Sequence, residues 1–184
     1  MKEIRVKRIG CVFFIFLLMI NFYSCSKTRT GNKAFLTEEA VQNFIKHHKD
    51  LNLSLLKLHE QIKPYIKISK FNPENTLTKL QNMPTPKLLK NLFKKFGLDE
   101  NKAVMQITVM QYGIIAYTME ATLEEIKNSG EERNEYQKAS DLAVENYAKK
   151  LKALINEDDY KLIKKYHSDL FAAFDNFKGW NESE

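Results

Sequence analysis

Apolar positions recur along most of this chain at alternating steps of three and four, the spacing of helix faces turned to a core. The clearest run is Val41, Phe44, His48, Leu51, Leu55, Leu58 and Ile62, about seven turns ending before Pro64. Thr37 precedes it as an N-cap, with Glu38 and Glu39 placed to favour the helix dipole. Asp50 marks where this run would divide if it forms two helices. Asn72-Pro73 opens a shorter helix carrying Leu77 and Leu80 before Pro84, and Thr85-Pro86 repeats the same start signal. In the next helix Leu88, Leu89, Leu92, Phe93 and Phe96 share one side. Lys87, Lys90, Lys94 and Lys95 lie largely opposite, and Gly97 ends the segment.

Asp99 is the expected cap of the longest helix, which runs to about Lys127. Two apolar stripes run along it side by side. One is Ile107, Met110, Ile114, Tyr117 and Ala121; the other is Val109, Tyr112, Ala116, Met119, Leu123 and Ile126. They differ by roughly 100°, so the apolar surface is wide and several neighbours should cover it. Gly113 permits close approach of one of them. Asn128-Ser129-Gly130 is a turn. Tyr136, Ser140, Ala143, Tyr147, Leu151 and Leu154 mark a shallower helix, with Ala and Tyr in place of Leu. Asn156 to Asp159 is a break and a new start. Ile163, Tyr166, Leu170, Phe174 and Phe177 form the last face, closed by Gly179 before a frayed tail. No segment sustains a period of two. The pattern predicts an all-α fold, a single helical bundle of five to six helices with a long central helix, over residues 35–184.

The first 25 residues follow a different rule. Lys2, Arg5, Lys7 and Arg8 make a basic start, Cys11 to Ile20 is unbroken apolar sequence, and small Ser24 stands directly before Cys25. The apolar run has signal-peptide length and falls short of the ~20 residues that cross a bilayer. The segment resembles a bacterial lipoprotein signal. That resemblance implies removal of residues 1–24 and attachment of a diacylglyceryl group, usually with a third acyl chain, to Cys25. Three other readings of the same residues stay open: cleavage after Ser26 to give a soluble product, an uncleaved short anchor, and an ordinary thiol at Cys25. Ser26 to Lys33 is polar without apolar spacing, so residues 25–34 read as a flexible tether.

Composition changes this picture little. Removing 24 residues from 184 leaves 160, enough for one domain with a real core. The formal charge is +6, of which the leader supplies +3. The remaining +3 is too mild to argue for nucleic acid, and Lys greatly outnumbers Arg. Of the two cysteines, Cys11 lies in the leader. With Cys25 acylated, the mature chain has neither a free thiol nor a disulfide, and its core alone must hold it.

Candidate chemistry is sparse. His47 and His48 are adjacent and point about 100° apart on a helix, so they cannot share one metal. His59 and His167 have no partner at a ligand spacing. Glu124-Glu125, Glu131-Glu132 and Asp158-Asp159 fall at helix ends or turns, where solvent is expected and nothing splits their pKa values. There is no Gly-rich phosphate loop and no nucleophile elbow. No catalytic, cofactor or metal residue is expected. The lysines from Lys87 to Lys95 suit anionic headgroups or plain solvent. Tyr166, Phe171, Phe174, Phe177 and Trp180 suit a groove for an apolar ligand or simple core packing.

An opening like Leu36-Thr37-Glu38-Glu39-Ala40-Val41-Gln42-Asn43-Phe44-Ile45 leads the first helix. A block like Leu92-Phe93-Lys94-Lys95-Phe96-Gly97-Leu98 then leads into a long helix with an Ala-Tyr pair, here Ala116-Tyr117. In this order of signals, residues 36–120 resemble a group of small all-helical exported bacterial proteins of uncharacterised function. The resemblance implies a helical body in the envelope and no transferable activity. The expected function is thus a non-enzymatic binding or structural module, held at a membrane, preferentially the outer one, by acyl chains on Cys25. Its expected partner is an envelope protein. The alternative is a periplasmic carrier or chaperone-like protein for an apolar ligand.

Overall fold

A computed structural model describes residues 33–60, 62–63 and 72–175. The expected leader, Cys25, most of the tether, Pro64, Phe177, Gly179 and Trp180 lie outside the described residues. The described residues form seven helices and no strand: α1 (Glu38–Lys57), α2 (Pro73–Asn82), α3 (Lys87–Lys95), α4 (Ala103–Ser129), α5 (Glu135–Ala153), α6 (Glu157–Lys165) and α7 (His167–Asp175). The all-helical expectation holds, but the expected five to six helices become seven among these residues. The expected last helix is offset at Tyr166, whose backbone leaves helical geometry (φ −107°, ψ 19°). Tyr166 N donates to Leu162 O and Leu170 N to Tyr166 O, but His167, Ser168 and Asp169 make no bond of this kind, so the chain bends there with its ladder interrupted. The Tyr166 ring is drawn towards α1, and α7 beyond the bend packs on α1.

Local chemistry explains most boundaries. Thr37 caps α1 by accepting from Ala40 N at 3.1 Å. α1 passes through Asp50 unbroken, with Val41, Phe44, Leu51 and Leu55 fully buried. The interruption comes instead at Leu58, and helical backbone returns at residues 59–60 and 62–63. Asn72 caps α2 through Glu74 N, with proline in the first turn. Thr85-Pro86 is a false parallel: α3 begins after Pro86 with no side-chain cap. Gly97 ends α3 in the left-handed region, φ +69°, where a Cβ would also meet Asn43 Nδ2 at 2.6 Å. Asp99 does not cap α4 itself. It accepts from Asn101 N and Lys102 N in the turn before the helix.

α4 packs against α1, α2, α5, α6 and α7. Every residue from Ala103 to Met110 is buried, including Gln106 and Thr108. In its second half burial narrows to Met119 and Leu123, and Ala121 and Ile126 are only half-buried. Gly113 serves the role expected of it. A Cβ there would lie 2.2 Å from Ile163 Cδ1, so α6 reaches the α4 backbone at this point. α5 is the shallow helix of the bundle. Tyr136 and Ala143 are exposed, and only Ala148 and Leu151 within the helix are buried.

Candidate functional site

The sequence marked Asp158-Asp159 as a solvated pair, and the structure corrects half of it. Asp158 is exposed, whereas Asp159 is 1% exposed. Asn156 caps α6 by accepting from Asp158 N, which leaves Asp159 in the first turn free to face inward. Its Oδ2 accepts from Phe35 N at 2.9 Å, and its Oδ1 from Leu36 N at 2.8 Å. Gln106 Nε2, on α4, donates to Phe35 O at 3.0 Å. The backbone at residues 35–36 is therefore clamped on both its donors and its acceptor just before α1. Burial pushes the Asp159 carboxyl up, and the two amides pull it back part of the way.

A second cluster joins three helices. Glu120 on α4 accepts from Lys152 Nζ on α5 at 2.8 Å through Oε1, and from Tyr160 OH on α6 at 2.7 Å through Oε2. Lys152 Nζ also stands 4.8 Å from the centre of the Tyr160 ring. Burial, and then the hydrogen bond to Glu120, push the Tyr160 phenol well above its usual range. The phenol thus stays protonated, and both oxygens of the carboxylate are taken. The arrangement staples three helices together. A shallow depression of about 260 Å³ adjoins it, lined by Glu120, Leu123, Glu124, Lys127, Glu145 and Lys149 among others. Glu145 and Lys149 pair across one turn at 2.9 Å, which holds the Glu145 carboxyl below its usual range.

A third cluster is exposed. Glu38 accepts from Lys165 Nζ at 2.6 Å and from Tyr166 OH, while Gln42 Nε2 donates to the same hydroxyl at 2.9 Å. Lys165, with Tyr166, lowers the Glu38 pKa. It ties the first turn of α1 to the bend between α6 and α7.

The histidines stay apart. His47 lies against the Phe96 ring with centroids 5.6 Å apart, and His48 Nδ1 is 2.7 Å from Ile45 O. His167 packs on Tyr117 at 4.8 Å, and its Nδ1 is 3.0 Å from Lys164 O. Among the described residues no three His, Cys, Asp or Glu side chains are arranged to hold a metal ion. Glu124, Glu125, Glu131 and Glu132 are exposed.

Among the described residues the aromatic series does not converge. Phe174 packs on Phe44 with centroids 4.8 Å apart, Tyr166 turns to Glu38, and Phe171 is exposed. At the α4–α6 interface Ile163 packs directly against Gly113. On α3, Leu89 and Phe93 are buried. Leu88, expected beside them, is 54% exposed because it sits at the edge of the apolar arc beside Lys95.

The Asp159 and Glu120 clusters escape sequence reading because their partners lie 32 to 124 positions apart. A signal for Asp159 did exist: Asn156 already supplies the cap, so the third acidic residue of Glu157-Asp158-Asp159 has no local task. No described helix is long and apolar enough to cross a membrane. Compared with family models, curated proteins and solved structures, the chain matches none.

Proposed function

We propose that the protein is a lipid-anchored lipoprotein of the bacterial envelope that works without catalysis, as a helical binding or structural module. The observation that carries this reading is the order of residues 1–25: a basic start, the apolar run from Cys11 to Ile20, and small Ser24 before Cys25. In this reading the body is a single bundle over residues 35–184, ordered about the long helix α4 and joined to the lipid through residues 26–34. The clamp on Phe35 and Leu36 supports that division, because it fixes the backbone beside the expected end of the tether. Each acyl methylene adds about 0.8 kcal/mol of membrane affinity, so two or three chains on Cys25 hold the body without help. Ser26 after the cysteine fits sorting to the outer membrane, and the partner is an envelope protein.

The test is intact-mass analysis of protein extracted from membranes, beside a Cys25→Ala variant. The wild type should carry acyl mass and begin at Cys25, and the variant should lose that mass and its membrane association. Full-length protein with an intact leader and no fatty chain overturns the proposal.

A further inference from the structure

α3 has the sequence KLLKNLFKK, four lysines and no acidic residue in nine positions. It is seated through Leu89 and Phe93, which lie about 40° apart on the helix and fix its inward direction. Lys87, Asn91, Lys94 and Lys95 then cover the outward arc, and all four are exposed. Lys90 flanks that arc on one side and exposed Leu88 on the other.

Several lysines elsewhere in the fold have acidic partners. Lys149, Lys152, Lys161 and Lys165 are ion-paired at 2.9, 2.8, 3.1 and 2.6 Å. Among the described residues no ion pair involves Lys87, Lys90, Lys94 or Lys95. Lys95 Nζ rests 5.3 Å from the centre of its neighbour's ring, Phe96. The result is a concentrated positive face with an apolar side chain at its margin.

The position of this face matters. Asn43 Nδ2 donates to Gly97 O at 2.8 Å, and His47 meets the Phe96 ring. The end of α3 is thereby fixed to the first half of α1, within about 14 Å along the helix axis of the point where the chain enters the body. The ten residues from Cys25 to Phe35 span at most about 36 Å. An anchored body therefore keeps α3 within reach of the bilayer.

From these observations we infer that the Lys87–Lys95 face of α3 docks on the anionic phospholipid headgroups of the membrane to which the chain is anchored. The inference rests on the reading of Cys25 as the anchor. The charge is complementary, and Leu88 suits the boundary between headgroups and acyl chains. The face uses Lys alone. Each Lys is a mobile point charge that attracts a phosphate without requiring bidentate geometry. Docking turns the body from a tethered particle into one held in a set orientation, with α3 down.

The test is amine-reactive labelling of the full chain on vesicles, read residue by residue by mass spectrometry. One vesicle set is phosphatidylcholine alone, and the other is phosphatidylcholine mixed with phosphatidylglycerol. Labelling of Lys87, Lys94 and Lys95 should slow by about threefold or more on the mixed vesicles only, and recover in high salt. Lys138 on α5, flanked by Glu135 and Asp141, should keep its rate. Equal rates on both vesicle sets, slowing on both, or equal slowing at Lys138 would each overturn the inference. An acidic protein partner would leave labelling unchanged by lipid, and so counts against it. The same digest weighs the peptide that carries Cys25, so failure of the anchor and failure of the docking face are read separately.

Discussion

The carboxylate of Asp159 accepts both the Phe35 and the Leu36 amides, at 2.9 and 2.8 Å. It thereby joins the first described residues to a helix in the last third of the chain. Both amides lie at or near the buried interior, where an unmet donor costs about 1–3 kcal/mol. Asp159→Ala should therefore lower unfolding stability by about 2–4 kcal/mol, read from the urea midpoint. A loss below about 0.5 kcal/mol would show that water replaces the carboxylate without cost.

The same residue makes a pH prediction of unusual sign for a carboxylate. Burial raises its folded pKa above the unfolded value, so the folded state binds the proton more tightly. Its contribution to stability is then greatest below the unfolded pKa and falls as pH rises through the folded one. Measured against Asp159→Asn, the wild type should gain relative stability as pH is lowered from neutrality towards the ordinary carboxylate range. Glu38 and Glu145, whose pKa values are lowered, act in the opposite direction in both proteins and cancel in the comparison.

Gly113 and Ile163 make a size-coupled pair. Gly113→Ala gains about 1 kcal/mol of helix propensity, but it places a Cβ 2.2 Å from Ile163 Cδ1 inside a filled interface. Overpacking of this kind costs about 1–3 kcal/mol, so the net change should be a loss. In an Ile163→Val background, where that terminal methyl is gone, the same substitution should be neutral or stabilising. Additive effects of the two changes in a double-mutant cycle would contradict the contact.

Alkaline titration should show delayed phenols. Burial pushes the Tyr112 phenol up to about 12, and Tyr160 is raised further by its bond to Glu120. Absorbance at 295 nm should rise in two stages, and Tyr112→Phe should remove amplitude from the late stage alone. Both groups keep their protons in the folded state when unfolded tyrosines have lost theirs. Stability should therefore fall as pH rises above the ordinary phenol value.

Two polar residues ahead of helices should behave differently. Asn156 accepts from Asp158 N at 2.8 Å, so Asn156→Ala should cost about 1 kcal/mol in thermal or urea unfolding. Thr85 makes no capping bond to α3, so Thr85→Ala should stay within about 0.5 kcal/mol of wild type.

This contrast shows where sequence reading succeeds. Helix faces such as Val41, Phe44, Leu51 and Leu55 were legible because burial repeats with the helix period and needs no knowledge of the partner. Caps at Thr37 and Asn72 were legible because the bond closes within three residues. Tyr166 was not, since the apolar pattern carries on through the bend although the hydrogen-bond ladder is interrupted there. Leu88 was misplaced because one residue's rotation at the edge of an apolar arc decides between core and solvent. Asp159 and Glu120 were hidden for a different reason: a polar side chain's burial depends on which distant backbone or side chain meets it, and periodicity carries no such information. The candidate signal at Cys25 is local chemistry, readable without a fold, and it lies outside the described residues.

Asp159's hold on residue 35 closes a circuit of 124 positions. A polypeptide leaves the ribosome, or threads an export channel, amino end first. The carboxylate that seats Phe35 therefore emerges after nearly everything else. Until then the segment ahead of α1 has only Gln106 to hold it, and a chain truncated before α6 would never gain the carboxylate. Closure of the body at this point therefore waits until most of the chain has been made.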